Sequence, residues 1–377
     1  MRVHHVAPHF YPDMGGVETQ VLRLAEFLLS RGHEVVVHTS RRSQGGQPLP
    51  QRDTLGAIEI RRYAPAFRLG YYTTLFRPQI ERADIVHLHG YSHVANDWTA
   101  RNVRGRTPIV FSLHHGVAQP PPNLITRMKR ALYDPLVGMR ILRTVQAIVA
   151  ASEVDRAWLD RRGLPRDRIH VIPTGLGEET FAPGDARRVR DRLELGRYIL
   201  FVGRLHREKS LDHLLRAGAA LREREVSVVL AGPDAGARRG LETLAASLGL
   251  EDRIRFLGSV DESTKRDLLA GCECLALPSF YEAQGITILE AWAQGRPVVA
   301  SRVGGIPYLV RDGTDGLLYR WGDTATLAEH LKKLLRDRSL ADAMGRAGRE
   351  RALAEFRWNR IAPRFEEIYQ HVAASQT

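Results

Sequence analysis

The stretch "PTGLGEETFAPGDARRVRDRLELGR", residues 173–197, decides how this chain is organised. Its Pro and Gly cluster breaks a regular alternation, and a new strand, "YILFVGRL", opens directly after it. Before it, "RVHHVAP" leads into "GVETQVLRLAEFLLSRGH", where Val17, Val21, Leu24, Ala25 and Leu28 recur at helical spacing. Gly32 ends that helix, and "EVVVHTS" follows as a strand. "DIVHLHG", "PIVFSLH" and "QAIVAAS" continue the series. After the break it resumes with "VSVVLAG", "IRFLGSV", "CECLALP" and "RPVVASR". Short apolar runs alternating with amphipathic stretches predict parallel sheets covered on both faces. The expectation is an α/β chain of two halves, each with its own core, and a ligand in the cleft they face. The ending "FRWNRIAPRFEEIYQHVAA" reads as a helix, with Pro363 near its start allowing a bend.

Composition narrows the classes. The chain has 377 residues, 44% of them hydrophobic and 26% charged, which suits a two-domain globular protein. Cys272 and Cys274 are its two cysteines. That argues against a disulfide framework and fits a reducing cytoplasm. Alternation would place both on one face of a strand as buried small hydrophobes. "MRVHHVAPHF" has no apolar core of signal-peptide length, and no run approaches about 18 apolar residues. A cytoplasmic chain is expected, peripheral on the inner face of the cell membrane if it binds lipid. Net charge is +12. Residues 1–180 carry 24 Lys+Arg against 16 Asp+Glu, so the excess leans to the first half. An Arg-rich proteome, an anionic substrate or an anionic membrane surface would each explain it. Nucleic acid is disfavoured, since aromatics are 7% of residues and no basic tail exists.

Several chemistries are missing from the sequence. There is no G-x-G-x-x-G after a strand, no Walker A loop, no G-x-S-x-G elbow and no Asp-x-Asp to chelate a metal. Three strand–loop–helix junctions stand out instead. In "FYPDMGGVETQ", Gly15 and Gly16 open the first helix, whose free N–H groups suit a phosphate; a ligand-free tight turn is the alternative. In "FVGRLHREKS", Arg204 and Lys209 follow a strand's carboxyl end and fit a diphosphate, or form a solvated basic turn. In "SFYEAQGITILEAWAQG", residues 279–295, Glu282 lies in the loop before a helix that begins near Gly285. Glu290 lies on that helix. An anion at Ile286 and Thr287 gains from the helix dipole, with one carboxylate on each side to accept from sugar hydroxyls. A ribose and a sugar separated by a diphosphate would fit this arrangement.

These motifs, in this order over nearly the whole chain, resemble the retaining glycosyltransferases of family 4, with the GT-B fold of two Rossmann-like domains. The resemblance rests on "GGVETQVLRLAEFLLSRGHEV", "VGRLHREKS" and "IRFLGSVDESTKRDLLAGCECLALPS". It extends to Glu282 and Glu290 and to "GRPVVASRVGGIPYLVRDGTDGLL". Within the family, "GSVDESTK" is similar to phosphatidylinositol mannosyltransferases, and "YPDMGGVE" and "SRVGGIP" to the GlcNAc transferase that begins GPI-anchor synthesis. The resemblance implies an acceptor domain at 1–177, a donor domain at 178–356 and a helix at about 357–377 packing back on the first. It implies that Arg204 and Lys209 bind the donor diphosphate with backbone N–H of Gly16, Ile286 and Thr287. Glu282 would hold the transferred sugar, Glu290 the ribose, and Val260 the base through its backbone. Glu262 and Lys265 stand where the mannosyltransferases contact guanine. His114 matches a histidine that reaches the donor sugar, and His115 is read as structural. The implied donor is GDP-mannose or a UDP-sugar, the acceptor a glycan, lipid-linked or small molecule, with no cofactor and no metal. Three positions depart from the family: Gln284, Tyr308 and the run "IPTGLGEE". Competing readings are a GT-B glycoside phosphorylase and a non-catalytic basic protein docked on membrane or nucleic acid. Residues 123–145 mix apolar side chains with Arg127, Lys129, Arg130, Arg140 and Arg143. They suit an anionic membrane, or a plain helix pair covering the sheet.

Overall fold

A computed structural model describes every residue except 44, 69–73, 115, 121–123, 222–224 and 376–377. His115 therefore lies outside the described residues. The chain divides into two compact units, one of Met1–Thr174 with Ile361–Thr377 and one of Gly175–Arg360.

The first unit is built on strands β1 (Arg2–Val6), β2 (Glu34–Ser40), β3 (Arg52–Leu55) and β4 (Ile58–Tyr63). A small ribbon follows, β5 (Phe67–Arg68) with β6 (Thr74–Leu75). Then come β7 (Ile85–His89), β8 (Ile109–Ser112), β9 (Ala147–Ala150) and β10 (Ile169–Val171). Eight strands form one sheet in the order β10-β9-β8-β7-β1-β2-β4-β3, parallel except for β3 against β4. The strand order reverses between β1 and β7, so the loops leaving those strands diverge and open a crevice. The helix Gly16–Ser30 packs through Val21, Leu24, Ala25 and Leu28, all fully buried. Each such side chain contributes about 1.5–3 kcal/mol if aliphatic and large. The helix Trp358–Ala374 contains Pro363. Its buried Phe365, Ile368 and Tyr369 lie in the part that belongs to the first unit. Its Glu366 accepts from His33 Nε2 (2.9 Å) and Arg31 Nε (3.3 Å).

The second unit has β11 (Arg197–Val202), β12 (Val226–Ala231), β13 (Ile254–Gly258), β14 (Cys274–Leu277), β15 (Val298–Ser301) and β16 (Gly316–Tyr319). They form a parallel sheet in the order β13-β12-β11-β14-β15-β16. Numbered within the unit this is 3-2-1-4-5-6, the doubly wound Rossmann order, with its switch point between β11 and β14. One detail differs from the expectation for the cysteines. Cys272 is not on the strand: it ends the helix Glu262–Gly271, its N–H donating to Leu268 O, and the strand begins at Cys274. Both side chains are fully buried all the same.

Residues 124–142 form a helix Leu124–Tyr133, a π-helical turn Asp134–Gly138 and a last turn Met139–Leu142. Only the end of this run packs as a sheet-covering helix would. Met139, Ile141 and Leu142 are buried, but no residue of Leu124–Tyr133 is. No described helix is long and apolar enough to cross a membrane.

Candidate functional site

In the second unit the switch point gathers the predicted residues on the carboxyl edge of the sheet. The loop after β11 carries Arg204, exposed, and Lys209, at the end of a short 3-10 turn Arg207–Lys209. This loop is braced from two sides. Leu205 N–H donates to Pro233 O (2.9 Å) beyond β12, and Trp321 Nε1 donates to Ser210 Oγ (3.1 Å). The loop after β14 carries Glu282 and ends at Gly285, the N-cap of the helix Ile286–Ala293. Gly285 has φ +84, a left-handed conformation that a side chain would strain. The first N–H groups, those of Ile286 and Thr287, thus stand at a free helix start.

The two carboxylates take their places through lysines. Lys209 Nζ donates to Glu282 Oε1 at 2.6 Å, and the fully buried Ser279 Oγ donates to the same oxygen at 2.6 Å. Lys265 Nζ donates to Glu290 Oε1 (2.7 Å) and lies 2.8 Å from Glu262 Oε2. Burial pulls the Lys265 ammonium down, but Glu290 and Glu262 outweigh it and hold the group above its ordinary range. Val260 precedes this group, next to the Asp261 cap that accepts from Thr264 N–H (2.7 Å). A pocket beside it is lined by Lys265, Glu290, Glu262 and Gln294. Sequence reasoning singled out Lys209, Val260, Glu262, Lys265, Glu282 and Glu290 but not what holds them. The Glu282 carbonyl accepts from Gly305 N–H (2.9 Å), and any side chain at Gly304 would collide with that carbonyl. The "GG" of "SRVGGIP" was the available signal for that support. Gln284, the departure noted above, is buried.

In the first unit the loop after β1 runs into the helix Gly16–Ser30, with Gly15 as its N-cap. Gly15 N–H donates to the buried Glu18 carboxylate (3.1 Å). The loop is tied at Tyr11, whose carbonyl accepts from Arg62 Nη2 (2.7 Å). Arg62 is buried and neutralised by Asp53 at 2.9 Å. His114 follows β8 with φ +55 and lines a small pocket with Gln20, Ser112 and Thr174. Its Nε2 lies 2.8 Å from His89 Nδ1. Sequence reading passed over the histidines of β1, β2 and β7. Among the described residues, His5, His87 and His89 are the one His/Cys/Asp/Glu group close enough to share a metal. Both nitrogens of His87 and of His89 already lie within hydrogen-bond distance of other side chains.

Two doubly wound units, with a helix start flanked by two lysine-held carboxylates, define a sugar-nucleotide type of α/β transferase. Residues 14–180 match Glycosyltransferase Family 4, and residues 185–351 match Glycosyl transferases group 1. D-inositol 3-phosphate glycosyltransferase of Nocardia farcinica (strain IFM 10152) is 30% identical, covering 97% of this chain and 87% of the relative. That of Mycobacterium avium (strain 104) is 31% identical, covering 99% and 93%. Among solved structures, sucrose-phosphate synthase from Thermosynechococcus elongatus aligns with TM-score 0.82 at 24% identity, over 99% of both chains. Anabaena HepE in complex with UDP-glucose aligns with TM-score 0.74 at 20% identity, over 100% of this chain and 99% of that one. The chain belongs to the family 4 glycosyltransferases, has the GT-B architecture, and is an enzyme of the glycosyltransferase class.

Proposed function

We propose that the enzyme moves a hexose from a UDP-sugar to a hydroxyl of a small phosphorylated polyol, with retention of configuration and without a metal ion. The observation that carries this is the helix start at Ile286, with Glu282 and Glu290 on either side, each already paired to a lysine. The carboxylates accept from hydroxyls of the sugar and the ribose. Lys209, Arg204 and the N–H groups of Ile286 and Thr287 stabilise the diphosphate as it leaves. In the reaction the bond from the anomeric carbon to the phosphate oxygen breaks and one to the acceptor oxygen forms. The acceptor's proton leaves with the diphosphate. Gly16 and His114 take the donor contacts that the family resemblance gives them. Full-length relatives named for inositol 3-phosphate support a phosphorylated polyol as acceptor.

UDP is preferred to GDP because Glu262, the carboxylate that would read guanine, is 84% exposed and engaged by Lys265. Relatives of the same fold solved with UDP agree with this choice. Thermal shift in EDTA with UDP, GDP and ADP tests the reading. At a ligand concentration 100 times Kd, UDP should raise Tm by about 5–10 °C. A larger shift with GDP would restore GDP-mannose as donor, and no shift with any nucleotide would sink the proposal.

A second reading concerns where the enzyme works. Leu124, Ile125, Met128 and Leu132 are each 64–68% exposed, and Arg127 and Lys129 are exposed beside them. This helix is proposed to lie on an anionic membrane surface.

A further inference from the structure

Packing alone does not ask for imidazoles inside the first unit's sheet. His5 of β1 stands opposite His87 of β7 in register, His89 follows two residues on, and all three are buried. His87 is accounted for by Tyr369 Oη (2.6 Å) and Ser112 Oγ (2.7 Å). The other two form a line. His5 Nδ1 lies 2.9 Å from His89 Nε2, and His89 Nδ1 lies 2.8 Å from His114 Nε2. The rings stack along it, at 5.1 Å between centroids in both pairs. Apolar side chains would fill this space without the penalty of burying polar atoms. The line ends on a residue held in left-handed backbone, φ +55, where non-glycine residues are uncommon.

We infer that His89 and His5 are positioning residues for His114, a line of neutral imidazoles that fixes its ring orientation and its tautomer. The inference rests on the proposed reading of His114 as a residue that touches the transferred sugar. Burial pushes His5 down to about 3 and holds His89 well below the ordinary imidazole range, so these two rings stay uncharged.

The tautomer follows from counting protons. Each neutral ring has one N–H, and two hydrogen bonds must be made. Only two arrangements make both: every proton on Nδ1, or every proton on Nε2. In the second, the His5 Nε2–H is a buried donor with no partner, since that nitrogen has none. In the first, the same nitrogen is a bare acceptor. Orphaned buried N–H groups are the rarer case in folded proteins. The structure therefore assigns the His114 proton to Nδ1, with Nε2 turned back to accept from His89.

Two-bond ¹H–¹⁵N correlation on the full chain labelled with ¹⁵N-histidine reads this directly, with His114→Gln to assign the signal. The expected result is a single Nδ1–H tautomer at His114. His89→Leu should give a mixture of tautomers, and His89→Asn should restore the native one, because its amide can donate from the position of Nδ1. Turnover at saturating donor should fall at least about tenfold in His89→Leu with KM for donor unchanged, and recover to within about threefold in His89→Asn. An Nε2–H tautomer in the native protein overturns the assignment. So does an unchanged tautomer in His89→Leu, or one equivalent of metal retained through dialysis, which would make the cluster a metal site. If His89→Leu fails to fold, the native spectrum alone decides. Full turnover in His114→Ala would defeat the sugar contact while leaving the tautomer result standing, so the two failures are distinguishable.

Discussion

Lys209 and Glu282 are 73 residues apart and meet at 2.6 Å, with side chains 21% and 15% exposed. In that partly buried setting each holds the other in one orientation, and on the proposed reading a diphosphate arriving beside Lys209 would find a cation already placed. Lys209→Ala removes the cation and leaves Glu282 held by the Ser279 hydroxyl. Turnover at saturating donor should fall about 10²-fold, the scale of losing one preorganised charge-stabilising donor. Steady-state kinetics of nucleotide release checks it, and near-normal turnover would remove Lys209 from the diphosphate site. Both residues were legible in the sequence because each follows a strand and precedes a helix. Their pairing was not, nor were Ser279 and Gly304 as the supports of Glu282. Those contacts depend on how β11, β14 and β15 lie side by side, and strand order is a long-range property that periodicity does not carry.

At the scale of elements, the helix Leu124–Tyr133 shows how far patterning alone reaches. Leu124, Met128, Leu132 and Leu136 recur every four residues, so they share one helix face whatever that face meets. The sequence could not say whether the face was covered; the structure leaves it exposed. It also separates one cation from the rest. Arg130 is half-buried and donates to Gln119 O (2.6 Å) and Val117 O (2.9 Å), so it anchors the helix, while Arg127, Lys129, Arg140 and Arg143 are exposed. Each basic residue near an anionic surface contributes about 1 kcal/mol, and inserted apolar side chains add to that. The protein should float with vesicles containing about a third anionic lipid and remain behind with zwitterionic ones. Met128→Asp with Leu132→Asp should abolish flotation without lowering Tm, since neither side chain is buried. Equal flotation with both vesicle types, or none with either, would contradict the membrane reading.

For the molecule as a whole, the buried histidines make the two units unequal in acid. In the first unit, burial pushes His5 down to about 3 and His4 to about 4, and holds His38, His87 and His89 well below the ordinary value of 6.5. Above pH 6.5 the folded and unfolded chains both hold these rings neutral, so they add no pH dependence. As pH falls below 6.5 the unfolded chain takes up protons that the folded one refuses, and stability falls toward pH 4. Two carboxyls of the same unit act the other way. Burial raises Asp97 and Asp155 to about 6, so the folded state gains their protons first as pH drops. Burial lowers His170 of this unit as well, and six imidazoles against two carboxyls leave a net loss between pH 6.5 and about 4, at about 1.4 kcal/mol per proton per pH unit. The imidazoles shifted downward all lie in the first unit. Hydrogen exchange in mild denaturant, corrected for intrinsic rates, should therefore show protection lost from β1, β2 and β7 on going from pH 7 to pH 5. Protection in β11, β12 and β14 should persist over the same range. Simultaneous loss in both sets of strands would mean that these histidines do not govern acid unfolding.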